Sequence, residues 1–336
     1  MKMRRTAIAA TAAAALALSA CGGGGEEEGG DEDVQTGDED SFTTDLTFGT
    51  GGTAGTYFPL GDELAAIYED NIEDVNVTAI ETGGSADNLG GIFQEEMQLG
   101  LTQNDTAASG VAGEIEDLEG QELDNFGWIS NLYPEAAHII VREDSGIESI
   151  EDLEGQTIAV GDVGSGTRAI SDAILAAHGI EEGDYTAEIA DFGSSTDMLA
   201  DSQIDASIFV VGTPVAGLTQ LAASTDVTLL GIEDDMTETI SGESGAESYD
   251  ISADAYEFLD EDVTTVSVFA ALVASTTQVS EDLAYEITAA TFENAGDITL
   301  EVGENITEEN ALTGVGDIPL HPGAERYFEE QGIDLP

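Results

Sequence analysis

The sequence predicts a two-lobed α/β fold with mainly parallel sheets and a ligand cleft between the lobes. Three observations carry that expectation. From Leu46 onward, short apolar runs alternate with segments of helical spacing, the mark of strand–helix units whose strands pair in parallel under covering helices. The stretch from Ile147 to Gly155 separates two sets of such units, near 46–142 and 156–232. A chain of 336 residues is also long enough to bury two cores.

The elements follow in order. Strands are expected at Leu46–Gly49, Val75–Ile80 and Gln98–Thr102, with helices at Leu60–Tyr68 and Ala86–Phe93 between them. Phe126–Leu132 and Ala137–Val141 read as two further strands, and Ser149–Leu153 as a short helix. Thr157–Gly161 is a strand, and Arg168–His178 a helix stopped by Gly179, a good C-terminal cap. Thr196–Ala200, Ala206–Val211, Val215–Ala223 and Val227–Leu230 continue the alternation. A long apolar strand at Val266–Ala274 and an amphipathic helix at Glu281–Asn294 return to the first lobe. The expected organisation is a first lobe of 46–142 plus about 262–336 and a second lobe of 143–261.

The N-terminus reads as an export signal. A basic start with Lys2, Arg4 and Arg5 precedes the apolar run Ala7–Ala20, which is too short to span a bilayer. Leu18-Ser-Ala-Cys21 resembles a lipoprotein cleavage box, which makes Cys21 the lipidated residue and 1–21 the signal peptide. Residues 22–45, rich in Gly, Glu and Asp, read as a disordered tether. The expected location is the extracytoplasmic face of the cell membrane, through that lipid. Cys21 is the sole cysteine, which excludes disulfides and thiolate metal sites.

Charge is extreme: 6 Lys plus Arg against 71 Asp plus Glu, a formal net charge of −65. Beyond Cys21 the cations are three arginines, Arg142, Arg168 and Arg326, with no lysine. Self-repulsion on this scale opposes compaction, and molar salt screens it by shortening the Debye length to ~3 Å. The acidity therefore reads as adaptation to high salt. A disordered acidic chain is excluded by the 41% of hydrophobic residues and their periodicity. Nucleic acid and anionic lipid surfaces are excluded as partners.

Four loops at C-terminal strand ends carry the candidate binding chemistry, on the face where open parallel sheets take ligands. Gly49-Thr-Gly-Gly-Thr-Ala-Gly-Thr and Gly161-Asp-Val-Gly-Ser-Gly-Thr-Arg each link a strand to a helix. Glycine lets the backbone approach a ligand, and the helix start behind it favours an anion. Thr82-Gly-Gly-Ser-Ala-Asp-Asn and Gln103-Asn-Asp-Thr complete the set. The candidates are Thr53, Tyr57, Ser85, Asn88 and Gln103 on the first lobe, and Ser165, Gly166, Thr167, Arg168 and Thr213 on the second. Arg168, beside a glycine-rich turn, is expected to grip a carboxylate with its planar fork. Arg142 and Arg326 read as ion-pair residues and His138 as a core histidine. Two loops fit a dinucleotide fingerprint, Gly49-x-Gly51-x-x-Ala54 and Gly164-x-Gly166-x-x-Ala169, but Glu81 lies ~30 residues on rather than ~20. No Walker lysine, Gly-x-Ser-x-Gly elbow or metal-ligand spacing occurs. Neither an enzyme nor a cofactor is expected.

Taken together, Gly49–Gly61, Thr82-Gly-Gly-Ser, Gly161–Arg168, Gly212-Thr-Pro, Glu309-Asn-Ala-Leu and His321-Pro-Gly-Ala-Glu-Arg-Tyr resemble the TAXI-type receptors of TRAP transporters. The resemblance runs from about Leu46 to Gln331. It implies a periplasmic-binding-protein fold that closes on its ligand, a small organic acid or amino acid such as glutamate or a dicarboxylate. It also implies TRAP membrane subunits, driven by an ion gradient, as the partner. The alternatives are a sensor module of a signalling system and a dinucleotide-using extracellular enzyme. The resemblance makes His321 structural, in a turn at Pro322-Gly323 packed on the first lobe.

Two outcomes follow. Circular dichroism from about 0.1 M to molar KCl should show structure gained with salt; full native structure at low salt contradicts the screening argument. Cys21→Ser should release the protein from membranes, and an unchanged mature mass and membrane association would refute lipidation.

Overall fold

The computed structural model describes residues 35–336 apart from 116, 117 and 119. The expected signal peptide, Cys21 and residues 22–34 of the tether lie outside the described residues. The remainder of the expected tether is docked. Gln35 and Gly37 donate to the carbonyls of Asp124 and Thr276, and Thr43 to that of Gln278, at 3.0–3.1 Å. The expectation of disorder up to residue 45 is corrected there, because these backbone groups find partners on the folded body.

In the first half, β1 (Asp45–Gly49), β2 (Asn76–Ile80) and β3 (Leu99–Gln103) are joined through helices α1 (Tyr57–Asn71) and α2 (Ser85–Phe93). Helix α3 (Asn104–Ala112) follows without a loop. The second half holds β5 (Thr157–Ala159), β6 (Thr186–Glu188) and β7 (Ala206–Val211), joined through α4 (Gly166–Ala177) and α5 (Phe192–Ala200). Pairing within each set is parallel: β1 with β2 and β3, β5 with β6 and β7. Between the sets run two long strands, β4 (Phe126–Arg142) and β10 (Val263–Ser275). They pair antiparallel with one another from Phe126↔Ser275 to Ala136↔Ser267. Their pairs with β3 and β7 are antiparallel too, so the sheet is mixed, ordered β2-β1-β3-β10-β4-β7-β5-β6.

The long strands set the lobes. β4 takes β7 as partner from Ala136 to Val141, and β10 takes β3 from Ala270 to Ala274. The sequence placed the passages at residue 142 and about 262. The partners change earlier on β4 and later on β10, because each strand runs through both lobes. Each lobe is apolar on both faces of its sheet. Phe48, Tyr68 and Phe328 fill one side of the first and Leu89 and Trp128 the other; Ile158 and Ile174, then Phe192 and Phe209, do so in the second. This is the two-lobed α/β architecture of periplasmic binding proteins.

Two elements depart from expectation for local reasons. The two strands expected at Phe126–Leu132 and Ala137–Val141 are one, since β4 is continuous. Pro134 faces Phe269 next to a register shift at Ala270/Ala271, a bulge that tolerates the missing ladder donor. The expected turn at Pro322-Gly323 opens helix α9 (Pro322–Gln331), with Pro at its start and His321 accepting the Gly323 N–H at 3.2 Å. Gly323 lets α9 meet helix α8 (Glu281–Glu293), since a Cβ there would lie 2.5 Å from the Tyr285 nitrogen.

Candidate functional site

Four helices begin at the mouth of one cleft between the lobes. Tyr57, Ser85, Gly166 and Phe192, the first residues of α1, α2, α4 and α5, all line it. The space between the lining residues, counted with its open mouth, is about 600 Å³. Helix starts present backbone N–H groups that lack intrahelical partners and a positive dipole end. Helix starts of this kind favour an anion without a cationic side chain, although some first-turn donors are already taken: Ala86 and Asp87 on α2 by the Gly164 carbonyl, Thr167 on α4 by Ser165 Oγ and Ser194 on α5 by Asp191.

The hydroxyl groups add to this. Ser85 Oγ accepts the Gln103 N–H at 3.1 Å, and Ser165 Oγ accepts the Thr167 N–H at 3.1 Å. Thr167 Oγ1 accepts the Val210 N–H, and Thr56 Oγ1 the Gly212 N–H, both at 3.2 Å. With a backbone donor on each oxygen, what each hydroxyl can offer a ligand is its proton.

At the floor lies Glu135, 2% exposed. Gln103 Nε2 and the Tyr57 hydroxyl donate to its Oε2 at 3.0 and 3.1 Å, and the Tyr133 hydroxyl to its Oε1 at 3.2 Å. Burial pushes this carboxyl up from 4.5 to about 8, although those three donors favour the ionised form. Near neutral pH the floor of the cleft is thus mostly uncharged. Asp162 and Asp191 are the other acids of the lining. Asp191 is committed to capping α5, its Oδ1 taking the Ser194 N–H at 2.9 Å.

Of the ten candidates, the structure brings six together: Tyr57, Ser85, Gln103, Ser165, Gly166 and Thr167 line the cleft. Thr53 is exposed outside the lining. Asn88 is buried behind it, its Nδ2 donating to the Thr50 and Leu101 carbonyls at 2.7 Å. It therefore braces two loops. Thr213 also stays out of the lining, with a buried Oγ1 that has no partner among the described residues. Arg168 requires the main correction. Its Nε donates to Asp172 Oδ2 at 2.8 Å, an i,i+4 pair on α4, and it lines a neighbouring cavity instead. Arg168 shares that cavity with Asp162, Ser165 and Gly166, which also line the cleft, so it stands beside the cleft rather than in it. Arg142 and Arg326 pair with Asp144, and with Glu281 and Asp282, as expected. His138 is buried, hydrogen-bonded to the Tyr256 hydroxyl at 2.8 Å, and burial lowers it to about 4.

Glu135 was absent from the expectation. In a chain with 71 acids one carboxylate carries no signal; the distinguishing feature is its place in the apolar context of β4. Its raised pKa has a measurable consequence. Folding favours the protonated form, so its stabilising contribution is complete below the ordinary 4.5 and is lost as pH rises through about 8. Glu135→Gln cannot ionise and should gain stability relative to the parent across that window. Thermal melts in molar KCl measure the difference, and a pH-independent gap would contradict the burial of an ionisable group.

Three solved structures are similar in fold. A protein from Bordetella bronchiseptica RB50 is 16% identical with a TM-score of 0.52, the match covering 88% of this chain and 83% of that one. The alkanesulfonate-binding protein SsuA from Xanthomonas axonopodis pv. citri, bound to MOPS, matches at 14% identity and TM-score 0.48 over 86% and 84% of the two chains. An ancestral arginine-binding protein bound to arginine matches at 16% and 0.47 over 80% and 99%. The model of the NMT1-like family matches residues 48–332. That span runs from β1 to the end of α9 and includes every loop of the cleft, so the chain belongs to the NMT1-like family.

Proposed function

We propose that this protein is an extracytoplasmic receptor, anchored by lipid on Cys21, that delivers a small organic acid to a TRAP-type transporter. The acid is glutamate- or dicarboxylate-like. One observation carries the reading: four helix N-termini, drawn from both lobes, converge on a single cleft with hydroxyl protons to spare. A cleft lined by two lobes suits capture by closure. The loop motifs of TAXI-type receptors, at Gly49–Gly61 and Gly161–Arg168, fall in this cleft or beside it and favour TRAP membrane subunits as the partner. The carboxylate is held by the Gly166 N–H and the hydroxyls of Ser85, Ser165 and Thr167. Arg168 acts outside the cleft, as the partner of Asp172.

The test is calorimetry in molar KCl against a panel of organic acids and amino acids, with small-angle scattering on the best binder. A binder should compact the protein. Ser85→Ala and Ser165→Ala should each remove a neutral hydrogen bond of about 0.5–1.5 kcal/mol, roughly two- to tenfold in affinity. Arg168→Ala should stay within about threefold, since exposed ion pairs contribute little. Abolition of binding by Arg168→Ala, with Ser165→Ala unaffected, would move the anion to the neighbouring cavity. A panel in which nothing binds would sink the receptor reading.

A further inference from the structure

Gly83 lies where the two lobes meet at the rim of the cleft. A Cβ atom on it would sit 2.6 Å from the carbonyl oxygen of Val163, on the opposite lobe. No side chain tolerates that distance to backbone, and backbone cannot swing aside as a flexible side chain would. Within its own lobe the same atom would meet only Asp87, at ordinary contact distances of 3.5 Å. Gly83 is also outside the left-handed region, so an alanine there carries no conformational strain. The cost of a side chain at 83 falls on the approach of the lobes alone.

Beside it, the Gly164 carbonyl of the second lobe accepts the N–H groups of Ala86 and Asp87 at 3.0 and 3.2 Å. These are first-turn donors of α2, the kind that a helix leaves without partners. One lobe thus caps a helix of the other. Asp87 Oδ2 holds the Gly83 N–H at 2.9 Å and keeps that loop in place. Gly164 itself is left-handed, φ 76°, and a Cβ on it would press to 3.1 Å from Asp87 Cβ. Both sides of the contact therefore depend on the absence of side chains.

We infer that Gly83 and the Gly164 carbonyl form a closure latch, a contact between lobes that engages the end of α2 in place of ligand. Of the four helix starts at the cleft, α2 spends its backbone donors on shutting the site. The latch sets the fraction of closed protein, and apparent affinity scales with that fraction. Its purpose rests on the receptor reading; its existence does not.

The test reads lobe separation with and without ligand. In the full chain carrying Cys21→Ser, spin labels go on cysteines replacing Asp70 and Asp201, both exposed, one on each lobe. Electron–electron distance distributions are recorded in molar KCl for this parent, for Gly83→Ala, and for Gly242→Ala. Gly242 has no atom within 4 Å of its Cβ position and serves as the control. The parent and the control should share a short-distance population without ligand, and Gly83→Ala should lower it at least about fivefold. L-glutamate is the added probe: if it binds, Gly83→Ala should weaken it by a similar factor. Equal distributions in parent and Gly83→Ala, or a parent with no short-distance population, would overturn the latch. Glutamate shifting neither protein counts against that ligand and leaves the latch decided by the first comparison. Should Gly83→Ala fail to fold, amide exchange in the parent decides. Ala86 and Asp87 should exchange at least about tenfold more slowly than Asp282 in the exposed first turn of α8, and equal rates refute the contact.

Discussion

The pairing of β4 with β10 is the constraint on which the rest of the molecule depends. Each strand is too long for one lobe: β10 pairs with β3 at one end and β9 (Glu247–Ile251) at the other, and β4 pairs with β10 along its first part and with β7 and β8 (Val227–Leu229) at its C-terminal end. The two lobes are therefore continuous through backbone hydrogen bonds at their junction and touch again at the rim of the cleft, where the Gly164 carbonyl accepts from Ala86 and Asp87. Glu135 stands at this junction, opposite Val268. Its carboxyl gathers Tyr57 and Gln103 from the first lobe's loops, so the floor of the cleft is fixed to the one part of the fold that both lobes share.

On the proposed function, a protein with so many acids faces a difficulty in attracting its anion. The structure meets it with backbone rather than side chains. Helix starts are positive whatever the composition, and their N–H groups cannot be lost to the substitution of one residue. The three arginines of the described body are spent elsewhere. Arg142 reaches the Leu199 and Ile204 carbonyls, Arg168 pairs on its own helix, and Arg326 bridges Glu281 and Asp282 over the Tyr285 ring. Glu135 adds no charge while protonated.

The alternation of strand and helix was legible because each unit follows a local period, and the cleft loops because glycine-rich strand ends are local too. Six of ten candidate residues line the cleft for that reason. The failures are three-dimensional. Arg168 follows the right loop, but one step along a helix turns a side chain by about 100°, and Asp172 completes the diversion. Asn88 carries the right chemistry one turn too deep. Glu135 could not be found among so many carboxylates without knowing that β4 is buried along most of its length. The continuity of β4 was missed because it depends on pairing with β10, more than a hundred residues away. Helix α7 (Asp234–Ser244) went unseen because its sequence is so polar that no apolar stripe marks it.

The order of the strands has a consequence for synthesis. β10 lies between β3 and β4 in the sheet but is made long after both, once the whole second lobe has been produced. Until Val263–Ser275 emerges, the first lobe lacks its central strand, and the apolar edges of β3 and β4 have nothing to pair with. Such long-range pairing is slow to form and exposes hydrophobic strand edges meanwhile. A nascent chain of this design stays incomplete almost to its C-terminus, and the density of negative charge along it keeps neighbouring unfinished chains apart in the interval.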